Sequence, residues 1–116
     1  MNLDRARQGW AVALDGHPFV SVDDLIGEIE RGEAHCISGA RSDVFVRIDR
    51  GVLEMGPVAG DLKEMLAMLP HIELWAQANG ATEAHVQAGR EEWEPVLAPH
   101  GYEVAAVILR KKFDGT

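Results

Sequence analysis

With 116 residues, 47% of them hydrophobic and 26% charged, the chain can build one core with a wetted outside, so a single domain spanning 1–116 is expected. A formal net charge of -8 argues against a nucleic-acid partner, because phosphate recognition draws on Lys and Arg. Cys36 is the only cysteine, which excludes an internal disulfide and a cysteine-based zinc site.

The first residues, Met1 to Arg7, are polar and lack the apolar core of a signal peptide. No run reaches the roughly 20 apolar residues of a membrane helix. A cytoplasmic chain, or one packaged from the cytosol, is therefore expected, with no membrane contact. Trp10 to Leu14 fits either a first strand or a helical turn, and Gly16-His17-Pro18 breaks the chain after it. Ser21 then caps a helix whose first turn carries Asp23 and Asp24, where acidic groups favour the positive end of the dipole. Val22, Leu25, Ile26 and Ile29 share one face of it, and Gly32 supplies the stop.

Three short strands follow. Ala34 to Ile37 is the first, with Gly39 to Ser42 as its turn. In the second, Val44, Val46 and Ile48 alternate with Phe45, Arg47 and Asp49, the period of a strand with one better-buried face. Asp49-Arg50-Gly51 turns the chain into the third, Val52 to Met55, and the set predicts an antiparallel meander. Asp61 to Asn79 is the strongest helix, with Leu62, Met65, Leu66, Leu69, Ile72 and Ala76 in one stripe over about 28 Å. Pro70 predicts a kink within it, and Asn79-Gly80 closes it.

Glu83 to Ala88 alternates as a strand, so strand, long helix and strand predict a right-handed crossover with parallel strands that splay apart. Trp93, Val96 and Leu97 give a short helix its buried face, which makes Trp93 a core residue. Trp75, beside Leu74 on the edge of the long stripe, fits either the core or a contact with another chain. Tyr102 to Leu109 is apolar on both alternating faces and predicts a last strand covered on both sides.

This order of elements resembles the GNAT N-acetyltransferase superfamily, and more narrowly its small members in tailed phages, prophages and gene-transfer-agent-like clusters. The residues that carry the resemblance begin with Ser21-Val22-Asp23-Asp24-Leu25 through Gly32, and Ala59-Gly60-Asp61-Leu62. Trp75-Ala76 with Gly80, then Gly89-Arg90, Trp93 and Gly101-Tyr102, complete it over about residues 20 to 113. It implies an α/β (α+β) fold, a GNAT-like mixed sheet with a long crossover helix.

The resemblance also implies where chemistry would sit. Acetyltransferases of this fold hold the cofactor pyrophosphate on a basic, glycine-containing loop that opens the long helix, using unpaired helix N–H groups. Here the junction Gly56 to Leu62 has no basic residue, is short, and puts the Asp61 carboxylate where a phosphate would sit. Counting back from Gly101 puts Leu97 where active relatives carry a proton-donating Tyr, and Arg90 near the position of an Asn. Glu54 lies on the strand where relatives sometimes place a general base, though a half-exposed strand also holds such a residue for solubility.

Two readings follow. In the first, the chain is a small GNAT-like protein of phage or prophage type, virion-associated or cytoplasmic. It has no acetyl transfer, no cofactor and no metal, and acts through a protein partner or self-association. In the alternative it is an acetyl-CoA-dependent N-acetyltransferase with an atypical loop. Val58, Ala59, Gly60, Asp61 and Leu62 would then cradle the pyrophosphate, and Glu54 would serve as base.

Overall fold

The computed structural model describes residues 3–15, 20–86, 93–106, 109, 111 and 113. Helix α1 spans Leu3–Ala13 and buries Ala6 and Trp10, four residues apart on one face. Of the two readings of Trp10 to Leu14 the helical one holds, over a longer stretch. Helix α2, Val22–Glu30, starts as expected: the Ser21 hydroxyl accepts from the Asp24 N–H and the Asp24 carboxylate from the Ser21 N–H, each at 3.2 Å. This reciprocal cap satisfies two donors that would otherwise be orphaned.

Strands β1 (His35–Ser38), β2 (Ser42–Asp49), β3 (Val52–Gly60) and β4 (Glu83–Val86) form one sheet in the order β1-β2-β3-β4. The first two pairings are antiparallel and β3 with β4 is parallel, so meander and crossover are both present. Helix α3, Leu62–Ala78, makes the crossover and runs unbroken through Pro70. It buries Leu69, Ile72 and Ala76 against Val44, Val46, Leu53 and Met55. Helices α1 and α2 cover the other face, with Ala6, Trp10, Leu25 and Ile26 around Phe45.

Four expectations need correction. First, β2 is buried on both faces, not one: Phe45 meets Trp10 edge-to-face at 5.7 Å, because α1 supplies a layer that the alternation alone did not reveal. Second, Gly56 to Gly60 is strand, not a loop. A bulge shifts the register between the pairs Val44↔Val58 and Val46↔Met55, so β3 resumes its ladder with the opposite parity. Third, Leu62 is 41% exposed and stands outside the α3 stripe, since it lies at the helix tip beyond the edge of the core.

The fourth concerns the end of the chain. Residues 102–106 form no strand, Val104 is 60% exposed and Leu109 92%. A continuous apolar run does not by itself specify a ladder. Trp93, by contrast, packs with Leu97 and Tyr102 on the core, from a short helix α4, Trp93–Leu97. The expectations on Gln87 to Glu92, including the strand splay and Arg90, lie outside the described residues. Among those described, no helix is long and apolar enough to cross a membrane.

Candidate functional site

The end of β3 runs straight into α3 with one residue, Asp61, between them. Gly60 makes this possible. It has φ 121°, and a Cβ there would lie 2.1 Å from the Arg41 carbonyl oxygen, so it serves the close approach of β3 to the β1–β2 turn. The Asp61 N–H donates to the Ser42 hydroxyl at 3.2 Å, and the Asp61 carboxylate accepts from the Glu64 N–H at 3.1 Å. Glu64 in turn accepts from the Arg41 backbone N–H at 2.8 Å. That bond first, and then the nearby Ser42 hydroxyl, hold the Glu64 carboxyl below the usual range.

Two carboxylates thus occupy the helix terminus where an anion would otherwise find free N–H groups. Of the five residues named for a cofactor, Val58 packs against the α3 core and Ala59 against the α1–α2 core. Gly60, Asp61 and Leu62 make the junction itself. Reasoning from sequence missed Arg41, whose guanidinium comes from the β1–β2 turn to 3.7 Å from the Asp61 carboxylate. No local signal could have found it, since the approach depends on the sheet register.

Glu54 is not brought to this place. It lies seven residues back along β3, about 20 Å of extended chain, on the face covered by α2. Arg47 donates to its Oε2 from Nε at 3.0 Å and from Nη2 at 2.6 Å, and also reaches Glu28 at 2.5 Å. The Glu54 hydrogen bond and, more weakly, that of Glu28 raise the Arg47 pKa, against the effect of burial. A carboxylate held by a guanidinium does not reach a substrate amine until that pair opens.

The proton-donor position is equally occupied by structure. Leu97 is 8% exposed within the core. Tyr102 is the only tyrosine of the chain, and its hydroxyl donates to Glu73 Oε2 at 2.7 Å. Burial first, and then the Glu73 bond, push its pKa well above the usual phenol value. Cys36 is half-buried, and burial raises its thiol pKa, so no activated nucleophile arises there. Among the described residues no cluster of three or more potential ligands could hold a metal ion.

Two open grooves flank α3. One, of about 500 Å³, lies between β1 and α3 and is lined by His35, Ile37, Met68, His71, Ile72 and Trp75 among others. Trp75 stands edge-to-face on His35 with ring centres 5.3 Å apart, so it is both a core neighbour and a groove wall. The other groove, about 370 Å³, lies between β4 and the segment after Gly101.

No protein-family model matches this chain, and no curated protein matches it in sequence. Solved structures do resemble it. An acetyltransferase of Trypanosoma brucei aligns over 96% of this chain and 92% of its own, with a TM-score of 0.67 at 11% identity. Glucosamine-6-phosphate N-acetyltransferase of Arabidopsis thaliana covers 98% of this chain and 95% of its own, with a TM-score of 0.62 at 13% identity. TTHA1254 of Thermus thermophilus covers 98% and 92%, with a TM-score of 0.58 at 19% identity. At such identities the likeness is one of fold. The chain has a GNAT-like, acetyltransferase-like fold.

Proposed function

We propose that this chain is a GNAT-like protein of the small phage and prophage type, cytoplasmic or carried in the virion, that works through protein contacts and not by acetyl transfer. The observation that carries this reading is the acidic start of α3. The N–H groups of Asp61 and Glu64 are bonded to Ser42 and to the Asp61 carboxylate, with the Glu64 carboxylate alongside. A pyrophosphate arriving there would meet two like charges in the first helical turn. The Arg47-bound Glu54 and the apolar Leu97 add to the case.

Calorimetric titration with acetyl-CoA tests it. The expected dissociation constant is weaker than about 1 mM, a binding free energy of only about -4 kcal/mol. A micromolar constant would sink the reading.

One observation favours the second reading, an acetyl-CoA-dependent N-acetyltransferase with an atypical loop. Arg41 brings to the start of α3 the cation that Gly56 to Leu62 lack. Under that reading Val58, Ala59, Gly60, Asp61 and Leu62 hold the pyrophosphate with Arg41, and Glu54 leaves Arg47 to act as base. Arg41→Ala would then weaken acetyl-CoA binding about tenfold or more, whereas the first reading has no binding to lose.

A further inference from the structure

We draw no further inference here: the strongest candidate, the groove between β1 and α3 that Ile37, Met68, Ile72 and Trp75 line beside the β1 edge of the sheet, is an apolar surface for which nothing in the structure shows what covers it.

Discussion

Arg5 grips Asp43 with two parallel bonds, Nε to Oδ2 at 2.8 Å and Nη2 to Oδ1 at 3.0 Å. The same guanidinium donates to the carbonyls of Gly39 and Ala40 at 2.8 and 2.7 Å, so it locks α1 onto the β1–β2 turn. Ser38 adds a third bond to the carboxylate, at 2.6 Å.

Acid stability should read out this pair. Burial alone would raise the pKa of Asp43, but the bonds from Arg5 and Ser38 outweigh it and hold the carboxyl below its usual value. A depressed carboxyl contributes stability that is complete above the unfolded value, about 3.9, and is lost as pH falls through the folded value. Asp43→Asn should therefore flatten the decline in melting temperature below about pH 4. An unchanged acid limb in the variant would count against the pair.

Gly9 should invert a general rule. Replacing a mid-helix glycine by alanine ordinarily stabilises by about 0.5–1 kcal/mol. A Cβ on Gly9 would lie 2.6 Å from the Ala59 Cβ, where β3 passes under α1. Gly9→Ala should destabilise, and Ala59→Gly should recover part of the loss in the double mutant. Urea midpoints of the four proteins in the cycle measure the coupling, and simple additivity would reject the contact.

The single phenol offers a direct optical titration. Ultraviolet absorbance of the folded chain should show Tyr102 ionising well above the ordinary phenol value of about 10. A raised phenol pKa gives stability that is complete below the unfolded value and lost as pH rises through the folded one. Glu73→Gln should bring the titration down, since the like charge goes and the bond to a neutral amide oxygen is weaker. A wild-type curve centred near 10 would contradict the bond.

Asp61 separates capping from charge. Asp61→Ser keeps a side-chain oxygen for the Glu64 N–H and should change stability by only a few tenths of a kcal/mol, whereas Asp61→Ala should cost about 1 kcal/mol. The serine variant also removes one of the two repelling carboxylates, so any residual acetyl-CoA affinity should rise. Denaturant curves and the same calorimetric titration check both halves.

Trp93 is half-buried against the core, so Trp93→Ala should cost about 3 kcal/mol, toward the low end of the range for deleted aromatics. A melting shift below about 2 °C would show that the ring serves something other than packing.

What was legible came from local chemistry. Ser21, Asp61 and Asn79 mark helix ends that the structure keeps, and the α3 stripe from Leu66 to Ala76 announces the crossover. Helix α1 escaped because it carries Gly9 mid-way, although Leu3, Ala6 and Trp10 already keep the helical spacing. The second half of β3 escaped because its bulge changes which parity faces inward. At the candidate site Asp61 was readable as a carboxylate on a helix start. Arg47 on Glu54, Arg41 beside Asp61 and Tyr102 on Glu73 were not, since each partner arrives through the tertiary fold.

The offset in β3 also decides which side chain each helical layer meets. It is what turns Val58 toward α3 and the smaller Ala59 toward Gly9. Straightening the bulge with every residue kept would slip the ladder by one, exchange the two and press a valine where not even a second methyl has room. The irregularity acts as a spacer that sorts side-chain size between the two helical layers.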